Sequence, residues 1–177
     1  MNELLATGLV QETRAGVSSG GRRPIVLQFQ DEASFIVGIE LGATHISCVV
    51  TDLRCKVRAS WSAPAPVRDE PRVALDKMTK GVHSVLDAAG VSESRVLGLG
   101  VAVPSPVDRE RPGELLPLIV PAWEGINIAT HLRDKFDRPV FVDNDANLGA
   151  LAELWWGAGS AVKDLAYIKV ATGIGAG

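Results

Sequence analysis

Apolar and polar residues alternate along three short runs, Phe35 to Leu41, Ile46 to Asp52 and Lys56 to Trp61, and each predicts a strand. The turns between them, Gly42-Ala43-Thr44 and Leu53-Arg54-Cys55, are too short for a crossover, so the three strands form an antiparallel meander. Pro64 to Asp69 reads as a linker. From Asp69 and Pro71 the period lengthens: Leu75, Met78, Val82, Val85, Leu86 and Ala89 fall on one face of a helix that Gly90 closes. Val96 to Val103 predicts a buried strand, and the proline-bearing stretch Pro104 to Pro121 predicts short hairpin strands. Beyond it come a helix from about Ile128 to Lys135 capped by Asn127, a strand Val140–Val142 and a helix from about Ala146 to Trp156. A strand Leu165–Ala171 then leads into the glycine-rich turn Thr172-Gly173-Ile174-Gly175-Ala176-Gly177.

The first 33 residues have a different character. Asn2 to Thr7 reads as the last turns of a helix stopped by Gly8. Two strand-like runs follow, Leu9–Thr13 and Ile25–Phe29, and the loop between them carries Arg14, Arg22 and Arg23 without an acid. Helix end, strand, basic loop, strand is the order at the back of a winged helix; an ordinary hairpin with a soluble tip fits equally well. The main body, a meander followed by helix–strand alternation, predicts an α/β mixed-sheet fold of the ribonuclease H/actin type, since a doubly wound sheet would alternate from its first strand.

Composition narrows the function classes. Of 177 residues, 46% are hydrophobic and the formal net charge is -3, which excludes disorder. Two cysteines cannot make a disulfide scaffold or a cysteine-rich zinc site. No apolar run approaches the ~20 residues of a membrane span, and the basic region of a signal peptide is missing, so a soluble cytoplasmic protein without membrane partners is expected. Any nucleic-acid contact must be local, because the overall charge is near zero.

Three stretches join turn glycines to carboxylates or hydroxyls at strand ends, where open sheets place ligands. Glu40-Leu41-Gly42-Ala43-Thr44 offers backbone N–H groups for phosphate and a carboxylate and hydroxyl for hydrated Mg²⁺; taken alone it reads more readily as a β-turn needing a small residue. Asp143-Asn144-Asp145-Ala146-Asn147 opens a helix, and its polar side chains exceed what one cap requires. A carboxylate there stays ionised and can orient a sugar hydroxyl or accept its proton. Thr172 to Gly177 has the look of a phosphate loop; the dinucleotide-binding alternative requires a helix and an acid about 20 positions on.

Together these motifs resemble the ROK family of repressors, open reading frames and sugar kinases. Glu40 to Thr44 nearly meets the family's Asp-x-Gly-x-Thr, Val142 to Glu153 is close to its most specific signature, and Ala171 to Gly177 resembles its second phosphate loop. Gly20-Gly21-Arg22-Arg23-Pro24 looks like the wing of NagC-type repressors. The resemblance implies a winged-helix remnant over residues 1–33, an actin-like lobe over 34–163 and the start of a further lobe over 164–177. It implies sugar binding by Asn144 and Asp145, with Asp145 as general base in a kinase, and an ATP phosphate path along Glu40, Gly42, Thr44, Thr172, Gly173 and Gly175. It also implies DNA contacts from Arg14, Arg22 and Arg23, weak and salt-sensitive by themselves.

Several positions depart from the kinase pattern. Glu40 is one methylene longer than the usual aspartate, Ala43 narrows the approach of a phosphate to backbone, and Ser105 stands where many members have glycine. Leu118-Ile119-Val120 occupies the region in which kinases supply a sugar-binding asparagine. The leading expectation is therefore a sugar-responsive transcriptional regulator, with a DNA operator, a sugar or sugar-phosphate effector and a homo-oligomeric state; the alternative is an ATP-dependent sugar kinase. ATP and Mg²⁺ belong only to that alternative, and the family's zinc motif is absent from this sequence. Family members extend at both ends, so a cut chain is expected, with little sequence-specific DNA binding. Cys48 and Cys55 are expected out of register for a disulfide, with residue 48 facing about residue 58, and both at least half-buried. His45, His83 and His131 read as surface or core residues rather than metal ligands. Leu165 to Ala171, lacking sheet neighbours, is expected to pair between chains, swap or fray, so truncation after Lys163 reduces self-association.

Overall fold

The computed structural model of the chain describes residues 2–13, 25–108, 110–117 and 119–177. The basic loop with Arg14, Arg22 and Arg23 lies outside the described residues, as does Leu118. A short helix α1 (Asn2–Ala6) ends at Gly8, whose φ of 71° supplies the left-handed stop expected there, and is followed by the antiparallel pair β1 (Val10–Thr13) and β2 (Val26–Phe29).

The meander forms as β3 (Phe35–Leu41), β4 (His45–Asp52) and β5 (Val57–Pro64). Alternation in β3 and β4 sends Val37, Ile39 and Leu41 to the same face as their cross-strand partners Val50, Cys48 and Ile46, and all six are buried. Helix α2 (Pro71–Ala89) covers that face with Leu75, Met78, Val82, Val85 and Leu86 and ends on Gly90 in the left-handed conformation. Gly81 allows this close approach: a Cβ there would lie 2.6 Å from Cys48 Sγ and 2.7 Å from the Trp61 ring. Next come β6 (Val96–Val103), α3 (Ile128–Phe136), β7 (Val140–Asn144) and α4 (Asp145–Trp156). The Asn127 side-chain oxygen Oδ1 caps α3 by accepting the Thr130 N–H at 2.9 Å.

The five strands form one mixed sheet in the order β5-β4-β3-β6-β7, with β6 parallel to both β3 and β7. The α/β fold expected from the meander and the alternation that follows is thus the fold observed. Trp123, fully buried, pins the chain after β6 by donating its indole N–H to the Val67 carbonyl at 2.7 Å.

Several details differ from expectation. Cys48 pairs with Trp61 instead of residue 58, because the turn runs on to Lys56 and the register shifts between Val50 and Thr51. Cys48 is buried, which pushes its thiol up to about 12, but Cys55 is exposed at a φ of 60° in the turn; both are free. Leu97 leaves β6 only partly buried. Among its described residues, the stretch after β6 forms single bridges, Val107 to Leu115 and Glu114 to Asn127, in place of hairpin strands. Leu165–Ala171 shrinks to β8 (Ile168–Val170), and the terminal glycine run supplies its partner, β9 (Ile174–Ala176). The expected unpaired strand therefore has an intramolecular neighbour, because Gly175 sits opposite Lys169 and lets the two backbones form a tight hairpin.

Candidate functional site

Because β3, β6 and β7 run parallel, their C-terminal ends finish on one edge of the sheet. A cleft of about 1090 Å³ opens there, between the turn after β3, the loop after β6, the start of α4 and the β8–β9 hairpin. This is where an open α/β sheet binds ligands. Glu40, Gly42, Thr44, Asn144, Asp145, Thr172, Gly173 and Gly175, predicted from three separate stretches, all line it.

Along the first wall the Gly42 N–H donates to the His45 carbonyl at 2.9 Å, so this donor closes the turn and does not face the cleft unpaired. The His45 ring lies against Gly42, with Nε2 3.9 Å from the Glu40 carboxylate. The described part of the loop after β6 is hydrogen-bonded within itself. Ser105 is buried and donates to the Pro106 carbonyl at 3.1 Å. The Asp108 carboxylate accepts the Glu110 N–H at 2.8 Å and contacts the Arg111 guanidinium. Chiefly that backbone N–H, aided by Arg111, holds its carboxyl below the usual carboxylate range.

The second wall is the start of α4. Asn144 is its N-cap: Oδ1 accepts the Ala146 N–H at 2.9 Å and the Asn147 N–H at 3.3 Å, while Nδ2 makes a long 3.5 Å contact with the Val103 carbonyl. Asp143 accepts from Asn147 Nδ2 at 3.0 Å. Capping thus accounts for the Asn144 oxygen, and the amide nitrogen remains the part of the side chain least engaged. Asp145 occupies the first helical position, where the helix dipole favours its anion.

The third wall introduces a residue that sequence reasoning did not select. Lys169, at the centre of β8, places Nζ 2.7 Å from Asp145 Oδ2 and 3.3 Å from Glu40 Oε1. The hydrogen bond to Asp145 is the main reason the lysine is held above its ordinary value. The signal was present: a single charge inside the β-prone run Leu165 to Ala171, on the same side of the strand as Tyr167, points to an inward-facing partner. Tyr167 itself seats the hairpin, its ring packing on Gly149 of α4. Among the described residues no cluster of three or more His, Cys, Asp or Glu side chains is arranged to hold a metal ion.

Comparison with known proteins gives this geometry a lineage. The model of the ROK family matches residues 36–177. The xylose repressor of Caldicellulosiruptor bescii is 32% identical over 176 residues, covering 99% of this chain and 44% of that protein. Among solved structures, a ROK hexokinase from Thermus thermophilus superposes with a TM-score of 0.65 at 31% identity, over 81% of this chain and 45% of that one. A ROK family transcriptional regulator, described as a homologue of the Escherichia coli Mlc protein, superposes with a TM-score of 0.78 at 24% identity, over 99% and 44%. The chain thus spans less than half the length of each of these three relatives. With the family match running through the sheet, the cleft and the hairpin, the chain belongs to the ROK family.

Proposed function

We propose that this chain is part of a sugar-responsive transcriptional regulator, in which residues 1–33 are the end of a winged-helix DNA-binding unit and the cleft belongs to the effector lobe. The observation that carries this reading is coverage. The family match begins at residue 36 and the hexokinase covers 81% of the chain, whereas the repressor and regulator matches run over 99% and take in α1, β1 and β2. A helix end followed by a two-stranded ribbon suits the back of a winged helix, where Arg14, Arg22 and Arg23 would meet DNA phosphates.

The cleft would bind a sugar through the Asn144 amide nitrogen and the Asp145 carboxylate. Its described lining carries the carboxylates of Glu40, Asp108, Asp143 and Asp145 against the cations of Arg68 and Lys169, and Lys169 is already engaged by two of the four. That balance favours an uncharged sugar over its phosphate ester. Effector binding regulates only if it differs between two arrangements of the protein, so the test is one of linkage. In a gel-shift titration of the intact gene product on its upstream DNA, one neutral aldose is expected to change operator affinity. A coupled ADP-release assay with the same sugars and ATP is expected to stay at background. Robust hexose-dependent ADP release, with operator affinity indifferent to every sugar, would overturn the reading in favour of a kinase.

A further inference from the structure

Glu40, Asp145 and Lys169 come from three separate elements, β3, α4 and β8, and meet at one point of the cleft. A cation held between two carboxylates at the ends of parallel strands is the arrangement a metal-dependent phosphoryl-transfer site requires, with the metal in the middle. Here the cation is covalently part of the chain. We propose that Lys169 is a built-in counter-ion that takes the place of a divalent metal between Glu40 and Asp145, and so closes the cleft to Mg²⁺ and to nucleotides that arrive with it.

Three observations support this. Nζ is within direct hydrogen-bonding reach of Asp145 at 2.7 Å and close to Glu40 at 3.3 Å, so it occupies the space an ion between them would need. A Mg²⁺ ion binds its oxygens at about 2.1 Å and would have to share both carboxylates with a positive charge a few ångströms away. The lysine is also fixed from behind. Its cross-strand neighbour is Gly175, where even a Cβ would come within 3.3 Å of the Ala146 side chain, so the hairpin lies flat on the first turn of α4 and aims the lysine at Asp145. Finally, Asp145, whose carboxylate a kinase would need free as a base, instead accepts the lysine's shortest hydrogen bond in this site. ATP with Mg²⁺ therefore does not fit these residues as arranged, and the reason is a specific side chain.

The inference does not rest on carbohydrate binding, and its experiment uses Mn²⁺ alone. Mn²⁺ binding to the chain, followed by electron paramagnetic resonance, is expected to be no more than the weak background of surface carboxylates. Lys169→Met keeps the length of the side chain and removes its charge; affinity for one Mn²⁺ per chain is expected to rise about tenfold or more. Adding Asp145→Asn to that variant is expected to return it to background. Equal affinity in the parent and Lys169→Met proteins would overturn the proposal, as would a folded Lys169→Met protein that gains nothing. If Lys169→Met does not fold, the parent still decides: Mn²⁺ broadening of the amide signals of residues 40–44 and 143–147 would show that the lysine does not exclude the metal, and their persistence is the expected result.

Discussion

At the scale of single residues, the polar side chains that matter have tightly defined partners. Asp52 ends β4, is buried, and accepts the N–H groups of Arg54 at 2.9 Å and Lys56 at 3.0 Å, with the Arg58 guanidinium 3.3 Å away. Burial pushes its carboxyl upward, but the two backbone donors and Arg58 outweigh that and leave it below the ordinary carboxylate value. Since the folded-state value lies below the unfolded one, the stabilisation is complete above the unfolded value of about 3.9 and is lost as pH falls through the folded value. Asp52→Asn keeps an oxygen for the turn but has no charge to surrender. Urea midpoints followed from neutral pH to about 3 should therefore fall less steeply in the variant than in the parent. A parallel decline in both would mean that Asp52 does not contribute to the acid limb.

Among the secondary-structure elements, the β8–β9 hairpin stands apart from the sheet. Its inward face carries Tyr167 and Lys169 against α4 and the cleft, while Ile168, Val170 and Ile174 on its outer face are 59%, 75% and 82% exposed. Trp155 and Trp156 at the end of α4 are exposed as well, so the C-terminal part presents an apolar surface of the kind that draws chains together. Sedimentation velocity is expected to show concentration-dependent association that weakens in an Ile168→Thr, Val170→Thr double variant; unchanged association would remove this surface from the account. The hairpin also marks the limit of what the sequence discloses. β3 to β5 and α2 are legible because a period of two and then of about 3.6 separates buried from exposed positions over long runs. Thr172 to Gly177 has no such period, and whether a glycine run is a loop or a strand depends on what lies opposite it. The pairing of Cys48 with Trp61 was hidden for a similar reason, a register shift that alternation cannot reveal.

For the whole molecule, the sheet has two working ends. At the N-terminal end of β3, residues leaving β2 are clipped to the five-stranded sheet and its turns: Asp31 accepts from Arg54 Nε at 2.7 Å and from the Leu53 N–H through its carbonyl, while Glu32 engages Arg58 and Arg95. Arg95 and Arg54 also stack over Phe35 and Phe29. At the other end, one strand length of roughly 20 Å away, Glu40 faces the cleft. The three motifs were legible as candidates, since each gathers carboxylates, amides or glycines at a strand end, and the structure brings them to one cleft. How they divide the work was not. Asn144 turns out to cap α4 with its oxygen, and Asp145 to hold Lys169, because both depend on where distant elements settle.

The claim on which most depends is that this cleft takes an uncharged sugar at Asn144 and Asp145. Amide chemical shifts of the 177-residue chain, recorded against a panel of neutral aldoses and their phosphate esters, test it even where affinity is low. One neutral aldose should move signals confined to residues 40–45, 104–108, 143–147 and 169–175, with Asp145→Ala suppressing the response. Saturable shifts elsewhere in the chain, or a cleft indifferent to every sugar in the panel, would contradict it.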